Sequence, residues 1–107
     1  MLSRLIVLGL LCAPLLVVAE PDHITTLASS CAACHGTNGN SAGGTPVLAG
    51  LDASHFRKQM QDFKSGARPS TVMQRHAKGL TDAEIDGLAL FFSQQPRRPA
   101  SLPAHPR

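Results

Sequence analysis

Three side chains within five residues carry the chemistry of this sequence: those of Cys31-Ala32-Ala33-Cys34-His35. The spacing C-x-x-C-H is the attachment signature of a c-type haem. Two thiols one helical turn apart reach the two vinyl groups of the macrocycle and become thioethers. The adjoining imidazole then supplies a nitrogen ligand to the iron. No second C-x-x-C-H occurs, so the sequence accommodates one haem. Rival uses need more than the chain offers. A zinc site takes four ligands, and no second cysteine pair is present. A thioredoxin-like dithiol belongs in a βαβ setting, for which the sequence has no pattern. A disulfide between Cys31 and Cys34 is compatible with the spacing but leaves His35 without a role.

Haem attachment sets two further demands, a fixed imidazole and a second axial ligand. Metal-bound histidines usually donate the other ring N–H to a carbonyl or carboxylate. Pro46, which follows a flexible loop, is a candidate to place its carbonyl there, although a proline that merely ends the loop would look the same. Outside the leader, the thioethers are Met60 and Met73. Met60 shares a helical face with Phe56 and Phe63 and is assigned to core packing. Met73 follows the irregular Arg68-Pro69-Ser70-Thr71 and precedes a short polar turn. A sulfur there can approach the iron from the face opposite His35. His76, one turn further on, is the competitor, and Met73 is preferred to it. His23, His55 and His105 read as solvated.

Helices suffice to position these groups. From Asp22 to Cys34, Ile24, Leu27 and Cys31 recur at i, i+3 and i+7, with Asp22 as a cap. Gly36 to Pro46 is rich in Gly, Asn and Ser, so no helix or strand is expected to persist. Val47, Leu48 and Leu51 can close one side of the pocket. A second helix is expected from Asp52 or Ser54 to Ser65, with Phe56, Met60 and Phe63 inward and Arg57, Lys58, Gln61 and Lys64 outward. Gly66 ends it. A short turn is expected over Val72 to Ala77. Thr81-Asp82-Ala83-Glu84 fits a capping box for a last helix carrying Ile85, Leu88, Phe91 and Phe92 and stopped by Pro96. No alternating strand pattern appears, so the fold class is all-α.

The ends of the chain are read separately. Met1 to Ala19 has the form of a cleaved secretory signal: Arg4, an apolar run from Leu5 to Val18, then small residues at Val17-Val18-Ala19. That run contains Pro14 and is shorter than the roughly 20 residues of a spanning helix, so no membrane span is expected after cleavage. Cys12 would leave with the leader. Export puts Cys31 and Cys34 in an oxidising compartment. The expected domain occupies residues 20–95, and residues 96–107 read as a basic, Pro-rich, disordered tail. Net charge is +3, with ten basic and seven acidic residues. Without Arg4, Arg97, Arg98 and Arg107 the body has six basic and seven acidic residues. A nucleic-acid surface is therefore not expected.

Several stretches together resemble the class I bacterial c-type cytochromes. More narrowly, they resemble the cytochrome subunit of flavocytochrome c sulfide dehydrogenases and related small periplasmic cytochromes. They are Cys31 through Ser41, Asp62-Phe63-Lys64-Ser65-Gly66, Arg68 through Met73, Ala77-Lys78-Gly79-Leu80 and Leu88 through Phe92. The resemblance covers nearly all of Asp22 to Gln95. It implies three to four helices wrapped around one haem c, joined through Cys31 and Cys34, with His35 and Met73 as axial ligands. It also implies Pro46 as the partner of His35 and first and last helices crossed near Leu88 and Phe91. Function follows from the same likeness. The expectation is a periplasmic, non-enzymatic carrier of single electrons, taking them from a sulfide-oxidising flavoprotein as its subunit or partner. A general soluble carrier to an oxidase or reductase, or an open-iron haem enzyme or sensor, are the alternatives. Some members of that group carry two haems in two domains, whereas this chain has one motif.

Overall fold

A computed structural model describes residues 22–99. The expected leader over 1–19, with Cys12, lies outside the described residues, as do His105 and the tail beyond Pro99. Among the described residues the regular elements are helices alone.

Helix α1 (His23–His35) begins at Asp22, whose carboxylate accepts from the Thr25 amide at 2.8 Å. This satisfies one of the amides that a helix start leaves unpaired, and it draws the Asp22 carboxyl below its ordinary range. Gly36 ends the helix. Its φ is +79°, and a Cβ there would lie 2.5 Å from the Asn40 carbonyl oxygen, so only glycine fits without strain.

Helix α2 (Ala53–Ser65) is capped by Asp52, which accepts from the His55 amide at 3.0 Å. Ser54, the other candidate cap, donates its hydroxyl to the same carboxylate. Gly66 closes the helix in the left-handed region. Helix α3 (Met73–Lys78) starts one residue later than the spacing suggests, where the Met73 amide donates to Ser70 Oγ at 3.0 Å. Helix α4 (Asp82–Ser93) has the full capping box. Thr81 Oγ1 accepts from the Glu84 amide, and Glu84 Oε1 accepts from the Thr81 amide. The helix ends at Ser93, before Pro96 is reached.

Helix α4 is the centre of the packing, with α1 on one side and α2 on the other, and α3 leaning on α2. The core is Ala28, Phe56, Met60, Ala77, Ile85, Leu88, Ala89 and Phe92. Phe92 meets Phe56 with ring centroids 5.7 Å apart and Phe91 edge-on at 5.2 Å. Burying a side chain of this size contributes roughly 1.5–3 kcal/mol. α1 crosses α4 where Ile24 sits over Gly87: a Cβ on Gly87 would be 2.5 Å from Ile24 Cδ1. The crossing expected near Leu88 and Phe91 thus depends on a glycine one residue earlier, which allows the backbones to close up.

Two expectations about polar groups change. Lys64 does not point away from the molecule. Its ammonium donates to the Leu80 carbonyl at 2.7 Å and to Asp82 at 3.1 Å, tying α2 to the turn before α4. Gln61 joins at Asp82, and together the Gln61 and Lys64 contacts hold the Asp82 carboxyl below its usual range. The loop after His35 is also more regular than its composition suggests. Thr37–Gly39 forms one 3-10 turn. The Gly39 carbonyl accepts from both the Leu48 and Ala49 amides, at 2.8 and 3.1 Å, closing the neck of the loop. Gly50 N–H then donates to the Phe92 carbonyl.

The hydrogen-bonded chain also continues past Gln95. The Asn40 side chain donates to the Pro96 carbonyl and accepts from the Arg98 amide. The first residues of the Pro-rich segment are therefore fastened to the loop rather than free.

Candidate haem site

The thiols and the imidazole come from the last turn and a half of α1. A helix repeats every 3.6 residues, so Cys31 and Cys34 lie one turn apart on neighbouring positions of its surface. Cys31 is half-buried against the core cluster, and Cys34 is exposed. No disulfide joins them. Burial pushes the Cys31 thiol up, and its S–H donates to the Leu27 carbonyl at 3.5 Å.

His35 is the one buried polar side chain among the described residues, 8% exposed. Its Nδ1 lies 2.8 Å from the Pro46 carbonyl oxygen, eleven residues on. A carbonyl can only accept, so Nδ1 carries the proton of this bond. In the neutral ring the lone pair then sits on Nε2. The Pro46 carbonyl thus sets the orientation and tautomer of the imidazole, in the manner that outer partners fix metal-binding histidines. The chain achieves this with Gly36, which turns away from the helix, and with the loop neck at Gly39, which returns Pro46 to His35.

Met73 stands at the first position of α3, half-buried against the same core cluster that Cys31 borders. Met60 lies within that core, 6% exposed. His76 is exposed on the same short helix, as is His55 on α2. His23 is engaged elsewhere, its Nε2 being 2.9 Å from Glu84 Oε2. Among the described residues no three of His, Cys, Asp and Glu converge as a metal-binding group, so the zinc alternative lacks a ligand set.

The donor chemistry fits a c-type haem. Two unpaired thiols stand at attachment spacing, one imidazole offers a free Nε2, and a thioether stands at the edge of the core. Half-buried Leu27, Leu48, Leu51, Phe63 and Leu80 border that core and supply apolar contact area. Residue-by-residue reading missed Gly87, Gly39, Ser70 and Asn40. Their signals were weak: a glycine inside a helical pattern, a glycine in an already glycine-rich loop, and two small polar residues in loops.

A helical unit that carries C-x-x-C-H at the end of its first helix, with the histidine locked by a carbonyl, belongs to the haem-attaching proteins. Residues 24–95 match the family model described as Cytochrome c, and the chain belongs to the cytochrome c family, whose members bind haem c covalently and carry electrons. It is 48% identical over 66 residues to the cytochrome subunit of sulfide dehydrogenase from Chlorobaculum tepidum, covering 62% of this chain and 60% of that protein. It is 46% identical over 71 residues to the thiosulfate dehydrogenase electron acceptor of Stutzerimonas stutzeri, covering 64% of this chain and 33% of that one. With cytochrome c-553 of Helicobacter pylori it shares 35% identity over 71 residues, 64% of this chain and 74% of the relative. The matched stretch thus spans from a third to three quarters of these relatives. No helix among the described residues is long and apolar enough to cross a membrane.

Proposed function

We propose that this cytochrome is a periplasmic single-electron carrier whose haem is joined to Cys31 and Cys34 and held axially by His35 Nε2 and the Met73 sulfur. The observation that carries this reading is the bond from His35 Nδ1–H to the Pro46 carbonyl. It leaves Nε2 as the ligating atom and raises its basicity. Met73 rather than His76 is the second ligand because its side chain faces the core, whereas His76 faces solvent. When bound, the haem supplies one-electron exchange between Fe(II) and Fe(III), its potential raised by a thioether ligand. With His35 and Met73 both holding the iron, no position would be open to a substrate, which would separate a carrier from a haem enzyme or sensor. The leader-like residues 1–19 support export to the periplasm.

A pyridine haemochrome assay on the purified chain tests attachment, with covalent haem expected in wild type. The ferric protein should show the long-wavelength Met–Fe(III) charge-transfer band, lost in Met73→Ala and kept in His76→Ala. A high-spin ferric wild type, or a band that survives Met73→Ala, contradicts the ligand set.

The electron donor is a sulfide-oxidising flavoprotein, with this chain as its subunit or soluble acceptor. The likeness to the sulfide dehydrogenase subunit supports this. A second reading, acceptor to a thiosulfate-oxidising dehydrogenase, is favoured by the relatives of that name. Co-purification separates the two: a partner that oxidises sulfide and contains flavin supports the first, and one that oxidises thiosulfate the second.

A further inference from the structure

From Ile24 to Leu51 the chain contains no Asp, Glu, Lys or Arg. The helix bearing Cys31 and Cys34, and the loop after His35, therefore present a surface without formal charge. Charge is brought to it from the other end of the chain. The Asn40 side-chain amide donates to the Pro96 carbonyl at 3.1 Å, and its oxygen accepts from the Arg98 amide at 2.7 Å. These two backbone groups flank Arg97, so Asn40 pairs with the segment as a strand neighbour would. A carboxamide carries the donor on its nitrogen and the acceptor on its oxygen, side by side at the spacing of two backbone groups. The same segment passes beside Gly50, where a Cβ would lie 3.6 Å from the Gln95 carbonyl and 3.8 Å from Arg97 Cβ. At its other side Asn40 touches Gly36, the neighbour of His35.

Arg97 and Arg98 are exposed and have no carboxylate partner among the described residues. Of the other described cations, Arg57, Lys58 and Lys64 are paired with Asp86, Asp62 and Asp82, while Arg68, Arg75 and Lys78 also lack a carboxylate partner but lie away from the Asn40 clamp, on and before α3.

We propose that Arg97 and Arg98, fixed by Asn40 onto the uncharged face around His35, form a recognition site for an acidic surface of the redox partner. The electron-transfer part of this inference rests on the haem reading above. Charge at the rim of a neutral face steers an oppositely charged partner. A backbone already held by Asn40 loses less freedom on docking than a free tail would.

Binding of the full haem-loaded chain to polyglutamate at low ionic strength tests the site. R97Q/R98Q should weaken binding about fivefold, the scale of two exposed charge pairs. R75Q/K78Q removes the same charge from α3 and should change it less than about twofold. Asn40→Ala changes no charge and should weaken binding about twofold by releasing the segment. Equal losses in the two double variants would mean that binding follows net charge, and would overturn the proposal. Wild-type affinity in Asn40→Ala would overturn the role of fixation. Should that variant unfold, Asn40→Ser, which likewise changes no charge and is too short to reach both backbone groups, together with the exposed double variants, decides the matter.

A second readout locates the site relative to the redox centre. Oxidation of the reduced protein by anionic ferricyanide, which takes one electron, should slow about threefold in R97Q/R98Q. Oxidation by cationic tris(phenanthroline)cobalt(III) should not slow. An unchanged ferricyanide rate beside weakened polyglutamate binding would remove the redox role. A chain without covalent haem would instead defeat the proposed function, while the polyglutamate result would still be read.

Discussion

Residues 24–51 and residues 52–93 hold themselves together by different means. The second region has Phe56, Met60, Ala77, Ile85, Leu88, Ala89 and Phe92 buried, with ion pairs on its surface. The first buries little besides Ala28, Ala49, Gly39 and His35, and it has no charges. It is held by hydrogen bonds at turns: the backbone bonds Gly36 to Ala32 and Gly39 to Leu48 and Ala49, and the bond from the His35 ring to the Pro46 carbonyl. The two thiols and the imidazole therefore sit in the part with the smaller core of its own, and Met73 in the other. The first part leans on α4 through Ile24 on Gly87 and through Gly39 and Gly50 on Phe92. A region shaped by turns can bring a carbonyl to a ring nitrogen within tenths of an ångström. A packed core supplies the stability that the turns do not.

The largest expected effect comes from breaking the shared support. Phe92 packs on Phe56, lies next to Gly39 and accepts the Gly50 amide through its carbonyl. Phe92→Ala should cost about 3–5 kcal/mol in denaturant unfolding. It should take both regions down in one transition; survival of α1 helicity after α4 has melted would show that the first region stands alone. Next in size is Gly36→Ala, which forces a Cβ against the Asn40 carbonyl at positive φ. It should cost about 1–3 kcal/mol. Its damage should stay local, seen as faster hydrogen exchange at the Leu48 and Ala49 amides while α2 is unchanged.

Gly87→Ala gains helix propensity but drives a methyl into Ile24. A net loss of about 1–2 kcal/mol is expected. The loss should shrink in an Ile24→Val background if the crossing is the cause, as a double-mutant cycle would reveal. The smallest effect is electrostatic. Glu84 is held below its ordinary value by the Thr81 amide first and by His23 next. A depressed carboxyl stabilises the fold above its unfolded value of about 4.3 and loses that contribution as pH falls through its folded value. Glu84→Gln should therefore flatten the acid limb of the stability curve, as denaturant unfolding across the acidic range would read.

Much of this protein was legible because the signals were local. Asp22, Asp52 and Thr81 cap within three residues of themselves, and C-x-x-C-H is complete within five. The 3-10 turn at Thr37 was not legible, because a run of Gly, Asn and Ser allows many conformations and the Leu48 and Ala49 amides select one. Lys64 reads as a solvent-facing cation by its position on α2, and only the approach of Leu80 and Asp82 turns it inward. Asn40 reads as a loop residue, and nothing near it in sequence points to Pro96 and Arg98.

By itself the sequence determined the helical class, the capped starts of α1 and α4, the attachment motif and the family that these define, since each depends on neighbours along the chain. The tertiary structure alone decided which ring nitrogen of His35 is free, that Ile24 closes on Gly87, and where the Pro-rich segment begins to be held. Each of these depends on two groups distant in sequence meeting at hydrogen-bond or van der Waals distance, and spacing along a chain does not encode that distance.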